Sequence, residues 1–309
     1  MHGSFDHHET GSKWALAATV LSIGVALVLI ATKLIAWQLS GSTAILGSLA
    51  DSALDLIGSG LAFIGVRWAA EPADAEHRFG HHKAEAITGL AQAILITGSA
   101  LFVLNESIMR LVTPAPLAAG NLAIWVMLLS LVLSTGLVAF QTYALRQSGS
   151  IAVEGDRAHY TGDLIANAGA LLAIFLSLHF GWLRADAIAG ILAAVFLGWS
   201  ALSISRRVLP QLMDEELSTP ERERISQIVM ADGDVLGFHH LRTRRAGRRI
   251  YIQLHLELRP DIQLRHAHEI SERVEAQLHG TFPGADILLH QDPHGEADDH
   301  DAPEIPTTA

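Results

Sequence analysis

Cysteine is absent from this 309-residue chain, which excludes disulfides and thiolate metal sites and leaves His, Asp and Glu as the metal ligands on offer. Charge is sparse: Asp, Glu, Lys and Arg make up 17% of the residues against 50% hydrophobic ones, and mean hydropathy is +0.32. That balance is too apolar for an ordinary soluble domain of this length. Basic residues are few as well. The net charge is −11, and no basic stripe with interleaved aromatics occurs, which argues against a nucleic-acid partner. No nucleophile motif or phosphate-binding glycine-rich loop is present, so an enzyme has little support. What the chain has instead is long apolar runs and 17 histidines.

Six apolar stretches run over Trp14–Trp37, Ala44–Ala69, Ala86–Val112, Leu122–Leu145, Ile151–Phe180 and Ala185–Ile204. Each is long enough to cross a hydrocarbon core of about 30 Å. The sequence therefore predicts an α-helical membrane protein with a six-transmembrane-helix bundle over residues 13–207. Residues 1–12, with His2, His7 and His8, read as a mobile tail, and the first span has no small-residue cleavage site of a signal peptide. Pro114 and Pro116 mark a turn between the third and fourth spans. Lys13, Arg67, Arg78, Lys83, Arg146, Arg157, Arg206 and Arg207 fall on one side of the bundle, and only Arg110 and Arg184 on the other. By the positive-inside rule both termini are cytoplasmic.

Residues 208–293 have the character of a soluble domain. Thr219 and Pro220 read as the N-cap and first position of a helix. Phe238–Arg244 and Arg249–Leu258 read as two strands joined near Ala246 and Gly247. In the second, Ile250, Ile252, Leu254, Leu256 and Leu258 alternate with Tyr251, Gln253, His255 and Glu257. A helix over Leu264–Leu278 and a strand over Asp286–His290 complete the order α-β-β-α-β, which suits a small sheet with helices on one face. The acidic tail, residues 294–309, reads as disordered.

Two polar pairs interrupt the apolar spans, Asp51 with Asp55 and His159 with Asp163, each at spacing i,i+4. That spacing stacks both side chains on one helix face, so two such helices facing each other offer three carboxylates and an imidazole around one point. Ionisable groups in a bilayer cost about 2.5 to 3.5 kcal/mol each on insertion scales and usually face a cavity and bind something. At 1.5 Å per residue both pairs lie about 10 to 18 Å along their spans, entered from opposite sides, which is midplane depth. Three carboxylates and one imidazole suit Zn²⁺ or a similar first-row ion, whereas Ca²⁺ or Mg²⁺ favours six or more oxygens. An imidazole, which ordinarily titrates near about pH 6.5, lets protons compete with metal there.

Taken alone, other polar residues leave two readings open. The stretch with Asp74, His77 and His81 is either a three-ligand exchangeable metal site or a solvated loop. Lys83 is, on its own, a positive-inside residue. His239, His255, His268, His290 and Asp292, from both strands, the helix and the last strand, are individually surface groups or ligands.

Together the runs Asp51-Ser52-Ala53-Leu54-Asp55, Asp74-Ala75-Glu76-His77-Arg78-Phe79-Gly80-His81, Lys83-Ala84-Glu85, His159-Tyr160-Thr161-Gly162-Asp163 and His290-Gln291-Asp292-Pro293 resemble the cation diffusion facilitator family, and within it the bacterial zinc and ferrous-iron efflux members. The resemblance covers nearly the whole chain. It implies a homodimeric metal/proton antiporter of the bacterial inner membrane, in contact with lipid, with a cytoplasmic ferredoxin-like (metallochaperone-like) α+β domain at 208–293. Asp51, Asp55, His159 and Asp163 would form the transport site and Asp74, His77 and His81 a loop site. His239, His255, His268, His290 and Asp292 would form a cytoplasmic binuclear site, with His82, His240, His266 and His294 as further candidates. Lys83 and Asp214 would form an ion pair tying the dimer together. The cargo would be Zn²⁺, with Fe²⁺, Cd²⁺ or Co²⁺ as alternatives. A membrane-anchored metal sensor or dimerisation scaffold without transport is the competing expectation; carboxylates at the midplane argue against it, because an anchor has no use for them.

Overall fold

The structure, a computed structural model, describes residues 4–40, 43–113, 121–180, 182, 184–247 and 249–295. The turn expected at Pro114 and Pro116 and the tail beyond residue 295 lie outside the described residues. Asp6–Leu212 form a compact helical unit, and the chain from Met213 belongs to a C-terminal unit.

Six helices build the first unit: α1 (Ser4–Ser40), α2 (Thr43–Ala69), α3 (Ala84–Val112), α4 (Asn121–Ser148), α5 (Ile151–Phe180) and α6 (Ala185–Leu212). Five of them, all except α5, are long and apolar enough to span a membrane. Helix α5 has the length, 30 residues, but carries Glu154, Asp156, Arg157, His159 and Asp163 in its first half. It lies centrally, packed against α2, α3, α4 and α6, so that Asp156 is buried rather than turned outward. Large apolar residues such as Leu27, Ile35, Ile94, Phe102 and Trp125 are exposed on the other helices, as a lipid-facing surface requires. Helix α1 begins at Ser4, with no proline in residues 4–13 to stop it, so the helix takes in most of the stretch read as a tail. Helix α6 likewise runs on through Pro210 to Leu212.

Close packing around α5 depends on small residues. Alanines 86, 93, 100, 158 and 201 interleave with Ile96, Ile151, Leu197, Ile204 and Val208 where α3, α5 and α6 meet. Small residues let membrane helices approach closely enough for dispersion to hold them. At Gly162, directly before Asp163, a Cβ atom would stand 2.3 Å from Leu197 Cδ2, so the approach of α6 to α5 requires glycine there.

The C-terminal unit consists of α7 (Thr219–Val229), β1 (Gly237–Ala246), β2 (Arg249–Leu258), α8 (Leu264–Thr281) and β3 (Asp286–Pro293). The N-cap of α7 is Ser218, not Thr219: it is extended (φ −56°, ψ 150°), and its N–H and hydroxyl both donate to Glu221 Oε2 at 3.1 and 2.6 Å. Thr219 lacks an acidic residue three positions on, which is what completes the capping box. Strand order is β1-β2-β3, with β1 antiparallel and β3 parallel to β2. The β2-α8-β3 crossover buries Ile252, Leu254, Leu256 and Leu258 of β2 against Ile225 and Val229 of α7 and Ile270, Val274 and Leu278 of α8. The expected α-β-β-α-β order and the helix-covered sheet face are both present. Tyr251, on the opposite face, is nevertheless buried, because the Arg244 guanidinium lies 4.2 Å above its ring.

Candidate metal centres

Helices α2 and α5 bring Asp55, His159 and Asp163 together so that one ligand atom from each lies within 4.8 Å of the others. His159 Nε2 is 2.7 Å from Asp55 Oδ1 and 3.8 Å from Asp163 Oδ2. Asp163 Oδ2 is buried and has no hydrogen-bond partner. An orphaned buried carboxylate oxygen is costly unless something cationic meets it, and the mixed carboxylate and imidazole set is the chemistry a first-row divalent ion takes. Asp51 lies one turn before Asp55 on α2, exposed, and stands outside this close cluster. Of the four expected transport ligands, three converge.

Two features around this cluster went unread in the sequence. Lys33 of α1 is buried, and its ammonium donates to Ser48 O at 3.0 Å and Ser52 Oγ at 2.7 Å, fastening α1 to the stretch of α2 that carries Asp51. A lysine inside an apolar span is as unusual as an aspartate, so the signal was present. One turn before His159 on α5, Asp156 accepts from Ser59 Oγ of α2 at 2.8 Å and from Gln141 Nε2 of α4 at 2.8 Å. Gln141 Nε2 also donates to Ser22 Oγ of α1 at 2.9 Å. One carboxylate thus ties α2 and α4 to α5, and α1 through Gln141, beside the candidate ligands.

A second cluster forms in the loop after α2. Asp74 Oδ1 is 3.3 Å from His77 Nδ1, and Asp74 Oδ2 is 3.4 Å from His81 Nε2. The three residues meet the same 4.8 Å condition. They are joined by turns rather than by a helical turn: Asp74 Oδ1 accepts the N–H groups of Glu76 and His77, and Gly80, at φ 77°, donates its N–H to His77 O at 2.9 Å. The hydrogen bond from the His77 backbone N–H chiefly, with that from Glu76, holds the Asp74 carboxyl below its ordinary 3.8 against a smaller opposing effect of desolvation. Only His81 of the three is buried, and its Nδ1 has no partner.

The third cluster lies on the sheet face away from the helices. Register pairs His239 with His255 and His255 with His290, so three imidazoles cross the three strands in one row. Asp292, two residues after His290 and on the same face, gathers them. Its Oδ2 is 3.1 Å from His239 Nε2 and 2.8 Å from His255 Nδ1, and its Oδ1 is 3.2 Å from His290 Nε2. Burial works to raise the Asp292 pKa, but the His255 hydrogen bond and the charges of His255, His290 and His239 hold it below 3.8.

His240 sits at a bulge with φ 51°, its ring 4.8 Å from that of His239 and 5.2 Å from that of His255. Partial burial, then its neighbours His239 and His255, lower its pKa. His268 is not brought to the cluster of its own chain; it is exposed on α8 beside Glu272 at 3.4 Å. His266 pairs with Glu269 and His294 with Glu257. Asp214 bonds Arg244 at 3.2 Å.

Residues 19–213 match the family model described as the cation efflux transmembrane domain, and residues 217–294 that of the cation efflux protein cytoplasmic domain. Among curated relatives, the cation-efflux pump FieF of Shewanella oneidensis is 41% identical over 280 residues, covering 91% of this chain and 94% of the relative. FieF of Klebsiella pneumoniae is 40% identical over 282 residues, covering 91% and 92%. Among solved structures, the Zn form of the transporter CzrB is 37% identical, covers 28% of this chain and 98% of that one, and has a TM-score of 0.26. The metal-bound C-terminal domain of the CzcD transporter from Thermotoga maritima is 20% identical over 26% of this chain and all of its own, with a TM-score of 0.25. With both halves matched in order and the relatives aligned nearly end to end, the chain belongs to the cation diffusion facilitator family of multi-pass membrane cation-efflux transporters.

Proposed function

We propose that the protein is a divalent metal/proton antiporter that exports Zn²⁺, with Fe²⁺, Cd²⁺ or Co²⁺ as the alternative cargo, across a bacterial inner membrane by alternating access. The observation that carries this reading is the convergence of Asp55, His159 and Asp163 from two helices around a buried carboxylate oxygen with no hydrogen-bond partner. Asp51 completes the set by swinging in from one turn away, giving three carboxylates and an imidazole. Without metal, Asp55 and His159 satisfy each other at 2.7 Å, and a proton shared there is what the cargo displaces. Metal and proton thus compete for the same atoms, the minimum chemistry for exchange. They drive transport only by stabilising different orientations of the bundle, since a ligand that binds both equally shifts nothing.

In this reading both termini face the cytoplasm. The loop triad Asp74, His77 and His81 takes metal in exchangeable form. His239, His255, His290 and Asp292 hold metal in the cytoplasmic domain, joined by His268 where a second protomer completes the site. Metal there stabilises a homodimer by mass action and reports the cytoplasmic metal level, while Lys83 and Asp214 link the protomers near the membrane surface. The relatives named as efflux pumps support the direction of transport.

Zn²⁺ uptake into proteoliposomes under an imposed pH gradient tests the proposal. The intact protein is expected to move Zn²⁺, and His159→Ala to lower the initial rate by about 100-fold or more, beyond the effect of removing a supporting group. Gradient-independent binding with no flux by the intact, folded protein would favour the sensor reading instead.

A further inference from the structure

Glu257 lies in the cytoplasmic cluster but belongs to no ligand set described above. Strand register places Gly237, Glu257 and Asp292 in one row, next to the row of His239, His255 and His290. Two carboxylates on directly paired residues ordinarily repel. Here histidines surround both. His239 spans them: its Nδ1 is 3.0 Å from Glu257 Oε1 and its Nε2 is 3.1 Å from Asp292 Oδ2. The other Glu257 oxygen, Oε2, is 2.7 Å from His294 Nδ1. Glu257 is about as shielded as His239, at 20% against 21% side-chain exposure, so the pair is not a solvated surface contact of little consequence. The backbone leaves room for it: a Cβ at Gly237 would stand 3.1 Å from Glu257 Oε2, close enough to make the carboxylate shift by a few tenths of an ångström.

We infer that Glu257 is a positioning residue for the cytoplasmic metal centre, receiving the Nδ1–H of His239 so that Nε2 is the nitrogen aimed, with Asp292, at the incoming ion. A carboxylate on the far nitrogen of a ligating histidine fixes the tautomer and ring orientation and makes the near nitrogen a better donor. His294 occupies the remaining Glu257 oxygen and keeps the carboxylate from rotating away, which gives that histidine a supporting role without metal contact. Neither residue touches the ion. This inference rests on the proposal that the cluster around Asp292 binds metal.

The test uses the full-length protein in detergent with Asp55→Ala and His81→Ala, which remove the other two clusters, and Co²⁺ as probe, titrated by its visible ligand-field absorption. Glu257→Gln keeps the shape of the side chain but offers a neutral oxygen. It is expected to weaken Co²⁺ binding by about 10- to 100-fold, with the melting temperature of the metal-free protein unchanged. Asp292→Asn serves as reference and is expected to abolish the signal. Unchanged affinity in Glu257→Gln while Asp292→Asn loses the signal would overturn the role of Glu257 and leave the metal centre standing. A melting temperature that falls in step with affinity would make Glu257 structural and equally overturn the inference. A signal that survives Asp292→Asn would overturn the metal centre itself, and the inference with it.

Discussion

Asp156 shows how much one side chain can hold. It accepts hydrogen bonds from Ser59 and Gln141 in a fully buried setting, so Asp156→Ala removes the acceptor of one Gln141 N–H, whose other bond runs to Ser22 Oγ, and leaves the Ser59 hydroxyl only the longer contact to Tyr160 Oη at 3.4 Å, a loss of about 1 to 3 kcal/mol. The expected result is a clearly lower melting temperature in detergent, with Asp156→Asn losing less because its amide oxygen still accepts. Asp232 makes the corresponding case outside the membrane. Arg273 Nε and Nη2 donate to its two oxygens at 3.0 Å each, and this pairing first, against a smaller effect of burial, holds the Asp232 carboxyl below its ordinary 3.8. A depressed carboxylate contributes stability that is full above its unfolded value and is lost as pH falls through its folded one. Arg273 is exposed, so solvent screens the pair and its contribution is modest. Acid unfolding of the C-terminal domain should therefore begin at higher pH in Asp232→Ala than in the intact protein, read by circular dichroism.

The elements differ in how openly the sequence declared them. The i,i+4 pairs on α2 and α5 were legible because acids inside apolar runs have few explanations, and the alternation along β2 marked its buried face correctly. Asp156 was missed because it sits near the polar start of α5, where charged residues look like an ordinary helix entry. The bulge at His240 was missed because it depends on cross-strand register, which no local pattern encodes. Ser218 was passed over for Thr219 because Pro220 drew the N-cap one residue too far, although Glu221 three residues after Ser218 was the better signal. Gly162 ties packing to the site: Gly162→Val should force α6 away from α5, since even a Cβ meets Leu197 at 2.3 Å. Transport is expected to fall by about 10-fold or more, as a misplacement of about 1 Å costs a positioned site, with every ligand still present. A flux assay beside a metal-binding titration separates that outcome from loss of a ligand.

For the whole molecule, composition alone settled the membrane class and the division into a helical and an α+β unit, because both follow from where apolar residues are concentrated. The gathering of candidate ligands into three clusters was legible only as motifs. Which of them close up was not, since Asp51, His268 and His290 match the family pattern as well as Asp55 and His255 do and yet stand outside the close groups. The central claim is that metal and protons exchange at the atoms of Asp55, His159 and Asp163. Its most direct test is proton counterflow in proteoliposomes loaded with a pH-sensitive dye and given a pulse of external Zn²⁺. Protons should leave the lumen in step with Zn²⁺ entry, and both movements should stop in Asp55→Asn. Zn²⁺ entry with no change in lumenal pH, or undiminished exchange in Asp55→Asn, would contradict it.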